Sequence, residues 1–409
     1  MSGRYKLLFS QPGALLLSCF GLLGRLPSGM LSLVFVLLTV RNTGSYAAAG
    51  LAAALYTAGT ALGNPVWSRG VDRFGPRRIL IITGTAEGAL LLIVAGLTLG
   101  QNRSATLLVP LAAVSGALLP PLGAIMRTLW SRMFSGSDLK KAAFACESVS
   151  VDVVFIVGPS IVAGLTAVAN ASVALTVAAV ATTAGCVLVA ASPHTRPVPR
   201  GEHPSRHWLG PLRFVSVLGV LPVGFLLMGS ISVIELSLVA FAERSGAPAL
   251  AGVLIAVLSV GGVVGGLYWG SRRQPGTNAQ QLMYTLGALA VGWGLLASTA
   301  IPWLLIVLLL LAGLALNPAI TAQFSTMDDV APEEAIAESF GWLNATSSAG
   351  AAAGALVVGL LVTERSEPGF LLAAGMCGTG LIIAATLQSR WRVTETVPVT
   401  GPVEQTEMK

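Results

Sequence analysis

Four carboxyl side chains of this sequence fall inside long apolar runs: Glu87, Glu147, Asp152 and Glu235. Only one cation, Arg25, lies at a similar depth in such a run. An ionised side chain at a bilayer centre costs at least about 2.5 kcal/mol unless it is paired, wet or neutralised. Four potential negative charges against one positive charge therefore leave carboxyls that must face water or hold a proton. A carboxyl that takes up and releases a proton is what coupling to a proton gradient requires. Glu147 and Asp152 are five residues apart, so on a helix they point about 140° apart and differ by about 7.5 Å in height. They cannot form a carboxylate dyad. Glu235 lies toward the far end of its run, where a carboxylate reaches water, and ranks below the other two as a proton site. In the same run as Glu147 and Asp152, Gly158-Pro159 combines a proline that frees a backbone carbonyl with a glycine that admits a close neighbour. The pair reads as a bend that can gate, or as a purely structural kink.

These residues need a membrane to make sense of them. The 409 residues are 54% hydrophobic and only 10% charged, far below the roughly 25% charged residues of a soluble domain. Apolar runs of about 20 residues, each able to cross roughly 30 Å of hydrocarbon, recur from end to end. Spans are expected near 14–40, 45–65, 79–99, 105–126, 142–166, 170–191, 212–240, 247–270, 280–299, 301–324, 338–362 and 367–388. Arg4 and Lys6 ahead of the first run imitate a signal peptide, but that run is too long for one and reads as a retained helix. The net charge of +6 sits in short stretches between apolar runs, without the basic face that nucleic-acid binding needs. The four cysteines, all in apolar runs and without a C-x-x-C pair, read as small buried hydrophobes. No P-loop, H-E-x-x-H or G-x-S-x-G occurs, so neither an enzyme nor an ATP-driven pump is expected, and no cofactor or metal.

If the N-terminus is cytoplasmic, nineteen Lys and Arg fall on that side and four on the other. This asymmetry puts both termini inside. Abundant Ala and Gly and the preference for Arg over Lys suit a high-GC bacterial genome, and the membrane is then expected to be a bacterial plasma membrane. Ser192–Gly210 holds four prolines and all three histidines and reads as a solvated linker. The expected organisation is thus a first six-helix bundle over 1–191, a cytoplasmic linker over 192–210, a second bundle over 211–390 and a cytoplasmic tail over 391–409. The halves repeat at about 200 residues. Gly59, Gly63 and Trp67 match Gly261, Gly265 and Trp269, while Pro121 and Phe144 match Pro318 and Phe340. Trp130, Trp303 and Trp391 near run ends read as interfacial anchors. The stretch with Asp328, Asp329, Glu333 and Glu334 reads as an acidic loop.

Between the second and third runs the chain reads Ser68-Arg-Gly-Val-Asp72-Arg73-Phe-Gly75-Pro-Arg77-Arg78. This loop resembles the signature of the major facilitator superfamily, a glycine, then Asp-Arg, then glycine and paired basic residues, although Ser68 stands in place of the first glycine. The resemblance extends over nearly the whole chain. It implies an all-α membrane protein with 12 transmembrane helices in two pseudo-symmetric six-helix bundles, and a cytoplasmic latch at Asp72, Arg73, Gly75, Arg77 and Arg78. For Arg77 and Arg78 simple enforcement of topology is an equal alternative. It further implies that helices 1 and 5 are neighbours, so that Arg25 can pair with Glu147 or Asp152 while the other carboxyl faces a cavity. A structural salt bridge is the alternative for Arg25. Helix 3 would lie outside the cavity, which makes Glu87 peripheral or snorkelling. The Gly-Pro of helix 5 is similar to that of export-type members. The expected function is proton-coupled antiport, the efflux of a small amphipathic or drug-like molecule by one monomer in the bilayer. Uptake of a nutrient, a polytopic enzyme and a non-transporting sensor are the alternatives.

Overall fold

The computed structural model describes residues 3–98, 105–134, 139–195, 210–247, 250–299, 301–361 and 367–391. Most of the expected linker, including His203 and His207, and all but the first residue of the expected tail lie outside the described residues. The described chain is helical throughout. A short helix α1 (Gly3–Ser10) precedes α2 (Ala14–Thr43), α3 (Tyr46–Phe74), α4 (Pro76–Thr98), α5 (Ala105–Leu118), α6 (Leu122–Met133), α7 (Leu139–Val168) and α8 (Ala171–Ala191). The second half comprises α9 (Val215–Arg244), α10 (Leu250–Ser271), α11 (Asn278–Leu296), α12 (Pro302–Val330), α13 (Ile336–Leu361) and α14 (Glu367–Leu387). Among the described residues, nine helical stretches are long and apolar enough on their own to cross a membrane. With α3, α11 and α13 they make the twelve crossings of two six-helix bundles, α5 and α6 together forming one crossing.

That fourth crossing is a correction to the continuous helix expected over 105–126. Pro120 and Pro121 interrupt it, because neither can donate a backbone hydrogen bond and each restricts the residue before it. Several helices also run past their expected ends, and α3 continues to Phe74 and α12 to Val330. Helices extend beyond the hydrocarbon wherever their last turns find protein to pack on. The signature stretch is therefore not a loop. Ser68 to Phe74 form the last turns of α3, Arg77 and Arg78 lie in the first turn of α4, and Gly75 alone makes the turn. Gly75 has φ 88° and ψ 154°, a region essentially closed to residues with a Cβ, and Pro76 then starts α4 where a missing N–H costs nothing.

The sequence repeat corresponds to repeated packing. A methyl group at Gly59 or Gly63 of α3 would run into backbone of α5 at Ala113 and Ala117. One at Gly261 or Gly265 of α10 would run into backbone of α12 at Leu310 and Leu314. In both halves the second and fourth crossings touch backbone to backbone, as small residues allow in membranes. Trp67 adds a hydrogen bond from its indole to the Ala117 carbonyl at 2.7 Å. Between the bundles, α3 packs on α13, α6 on α13, and α7 on α10 and α12.

Candidate functional site

Hydrogen bonds between the halves form a ladder that starts at the end of the molecule carrying the basic turns. At that end the Asp72 carboxylate, in the last turn of α3, accepts hydrogen bonds from the backbone N–H groups of Ala337 at 3.2 Å and Glu338 at 2.6 Å. These are first-turn donors of α13, which have no partner within their own helix. A buried anion on a helix N-terminus satisfies both the donors and the helix dipole. Arg69 lies 3.6 Å from the Glu338 carboxylate. Ser68 is fully buried where α3 crosses α13, and a methyl at Gly341 would lie 2.5 Å from its hydroxyl oxygen. The glycine that the family signature places at position 68 is thus supplied by the facing helix. Arg73, Arg77 and Arg78 are exposed.

The other side of this closure joins α7 to the second half. Lys140 and Asp328 form an ion pair at 2.6 Å and Lys141 donates to Gln281; within the second half, Asn278 of α11 donates to Asp329 of α12 at 2.7 Å. Asp328 and Asp329 were expected in a loop; they belong to the last turn of α12. The N-terminal helix contributes as well. The Tyr5 hydroxyl, on a residue only 4% exposed, donates to the Leu267 carbonyl of α10 at 3.0 Å.

One layer deeper, Phe144 and Phe340, paired by the sequence repeat, meet edge-on with ring centroids 6.2 Å apart. Arg127 is the main departure from the sequence reading, which counted it with the loop cations. It is buried in α6, its guanidinium lies 3.6 Å from the Phe324 ring centroid, and it donates to Asn344 at 2.9 Å. Its signal was present: it directly follows an apolar, proline-broken stretch, on a helix with one strongly polar edge. Ser148 and Thr321 share a hydrogen bond at 3.1 Å, and Asn317 donates to Asp152 at 2.6 Å. None of these second-half polar residues was singled out from sequence, because a lone Asn or Thr in an apolar run carries no spacing signal.

The intramembrane charges separate into two kinds. Arg25 on α2 pairs with Glu147 on α7 at 2.5 Å and donates to the Leu122 carbonyl beside the break between α5 and α6 at 3.2 Å. The Trp130 indole donates to the same Glu147 carboxylate at 2.9 Å. Trp130 is therefore a buried hydrogen-bonding residue and not an interfacial anchor. Trp391 is likewise buried, donating to the Ser216 carbonyl at 3.0 Å, whereas Trp303 is exposed. Asp152, on another face of α7, has the neutral amide of Asn317 as its hydrogen-bond partner and is half-buried. Glu235 on α9 is also half-buried and lies within electrostatic range of Asp152. Gly158 packs on Gly29 of α2, where a methyl would come within 2.8 Å of the backbone, so Gly158-Pro159 sits at the crossing of the first and fifth spans. Glu87, expected at the periphery, is completely buried inside the first bundle.

The hydrogen bonds found between the bundles run from the basic end to the Asp152–Asn317 pair. Beyond that layer α2 and α9, the first spanning helix of each half, share no extended packing among the described residues. The molecule is closed at its basic end, with two carboxyls near the closed floor. Such an arrangement can bind a cation or protonatable group from one side and exclude it from the other.

The sequence matches the Major Facilitator Superfamily over residues 17–355. No curated protein matches it in sequence. Among solved structures, the human organic anion transporter MFSD10 (TETRAN) is similar with a TM-score of 0.70 at 15% identity, covering 90% of this chain and 98% of that one. A bacterial homologue of the iron transporter ferroportin, in an outward-facing state, is similar with a TM-score of 0.74 at 14% identity, covering 91% and 98%. At these identities the likeness speaks to the fold.

Proposed function

We propose that this chain, which belongs to the Major Facilitator Superfamily and crosses the membrane many times, is a secondary transporter that couples proton movement to the export of a small amphipathic, drug-like molecule. The basic end is then cytoplasmic, in a bacterial plasma membrane with both termini inside. The two bundles, 1–191 and 211–390, rock about the midplane cavity within one monomer.

The observation that carries the proposal is the unequal treatment of the acids on α7. Glu147 has a guanidinium and an indole donor, so its charge is balanced. Asp152 has a single neutral amide donor from the opposite bundle and a second carboxyl, Glu235, within electrostatic range. A carboxyl in that setting exchanges its proton when the halves separate and Asn317 withdraws. Asp152 is the coupling residue in this reading, Glu235 its electrostatic neighbour, and Arg25 with Glu147 a fixed pair that holds α7 against α2. Asp72 on the α13 N-terminus is the cytoplasmic latch, Gly75 shapes its turn, Arg73, Arg77 and Arg78 serve mainly orientation, and Gly158-Pro159 lets α7 flex on Gly29. Export in particular is supported by that Gly-Pro pair, and an amphipathic cation by two carboxyls without a matching cation in the same layer.

The test is proton flux in liposomes carrying the purified protein and a preset pH gradient, with amphipathic cations, antibiotics, organic anions and sugars added in turn. Collapse of the gradient on adding an amphipathic cation, abolished in Asp152→Asn, is the expected result, and the sign of the proton movement gives the direction of transport. A response only to sugars or anions, or one unchanged in Asp152→Asn, contradicts it.

A further inference from the structure

Glu87 is not accounted for by the central cavity. It lies midway along α4 with no exposed surface, and the helices packed on α4 are α8, α3 and α5. From α5, the buried Ser115 hydroxyl donates to Glu87 Oε1 at 3.5 Å, the outer limit of a hydrogen bond. Glu87 Oε2 has no hydrogen-bond partner. From α3, the Tyr56 hydroxyl lies within electrostatic range of Glu87, with the Thr60 hydroxyl of its own helix beside it. From α8, the Cys186 thiol lies within the same range, and one turn before it the buried Thr182 hydroxyl is again unpartnered. Gly84 and Gly88 bring α4 against Cys186 and Thr183 of α8, which sets Glu87 at the height of Thr182.

Among the described residues, no cation on the helices packed around it balances this carboxyl. Helices α5 and α8 contain no Lys or Arg. The nearest arginines along α4 and α3 are Arg77 and Arg78 in the first turn of α4 and Arg69 and Arg73 in the last turns of α3. Arg78 stands nine residues from Glu87, about 13 Å along the helix. A buried carboxylate with one long hydrogen bond and no counter-charge is strongly disfavoured, and the Thr182 hydroxyl of α8 adds a further unpartnered oxygen at the same height. Each of these atoms is an oxygen that can face a hard cation, and together they carry a single potential negative charge. One monovalent cation balances them, whereas calcium or magnesium demands more oxygens and usually more carboxylates.

We propose that the interior of the first bundle holds a monovalent-cation site, centred on Glu87 with the hydroxyls of Tyr56, Ser115 and Thr182, that takes one H⁺ or Na⁺ and is separate from the Asp152 site. It joins four helices of one bundle, so its occupancy stabilises that bundle whichever way the transporter faces. The site does not depend on the coupling role given to Asp152.

The experiment follows thermal unfolding of the intact, purified protein, first across pH in choline chloride and then at fixed pH with choline replaced by sodium. Any ligand that binds only the folded state raises the unfolding midpoint as its concentration passes the dissociation constant. The expected result is a midpoint that rises with acidity if the site takes H⁺, or with sodium at constant pH if it takes Na⁺. The difference between the wild type and Glu87→Gln should contain that dependence, while Asp152→Asn keeps it. Tyr56→Phe, which retains the ring and removes one oxygen, should shift the dependence to about tenfold higher cation concentration and serves if Glu87→Gln does not fold. A Glu87→Gln protein that folds and shows the wild-type dependence overturns the site. So does a wild type indifferent to both ions, or a Tyr56→Phe protein with unchanged affinity.

Discussion

Replacing Asp72 with alanine removes the one carboxylate that caps α13 from the opposite bundle. The two hydrogen bonds it accepts, at 3.2 and 2.6 Å, exist only while the basic end is closed. A hydrogen bond to a charged group contributes about 1.5–3 kcal/mol. The two share one acceptor, and water solvates both partners once the halves separate, so we take about 2–4 kcal/mol for the pair. At about 1.4 kcal/mol per factor of ten, closure should weaken by roughly 30- to 700-fold. The assay is the rate at which a membrane-impermeant maleimide, added at the basic end, labels Ser148→Cys in a background lacking the four native cysteines. Ser148 is 1% exposed and faces Thr321 across the closed interface, so its labelling rate follows the population opened at that end. Asp72→Ala should raise the rate by at least about tenfold, and Asp72→Asn, which keeps one neutral acceptor, by less. Equal rates in Asp72→Ala and its parent would refute the reasoning, because the carboxylate would then contribute nothing to closure.

Three further outcomes follow from the geometry. Arg25→Ala should lower stability by about 3–5 kcal/mol, since it strands Glu147 in a buried position, while Arg25→Met with Glu147→Leu should recover most of the loss in thermal unfolding. Gly75→Ala forces a Cβ into a region that only glycine occupies readily and should cost about 1–3 kcal/mol, seen as a lower unfolding midpoint together with faster Ser148→Cys labelling. Tyr5→Phe removes the hydroxyl that donates to Leu267 and should open the basic end about fivefold by the same labelling rate, without loss of the fold.

The spans were legible because a membrane imposes one length and one composition on every crossing, and the repeat because glycines at backbone contacts tolerate no side chain. The Asp72 stretch was legible as a motif but not as structure. Whether Asp72 caps a helix or pairs with a cation depends on where α13 begins, which is far away in sequence. Pairing of Arg25 with one acid of α7 could be framed from charge balance and family architecture, yet selection of Glu147 required the Trp130 indole on the other side. Arg127 was misplaced because a cation just past an apolar run looks the same whether it reaches water or stacks on Phe324. Glu87 was misread through the expectation that its helix faces away from the cavity. That holds for the cavity, but says nothing of the polar interior shared by α3, α4, α5 and α8.

The central claim, that Asp152 carries the coupling proton, is tested most directly by comparing net transport with exchange in proteoliposomes loaded with the responsive compound. Asp152→Asn should lose accumulation driven by a pH gradient while still exchanging labelled for unlabelled compound at equilibrium, because its cavity and gates remain and only the exchangeable proton is gone. Gradient-driven accumulation by Asp152→Asn at the wild-type level would contradict the account.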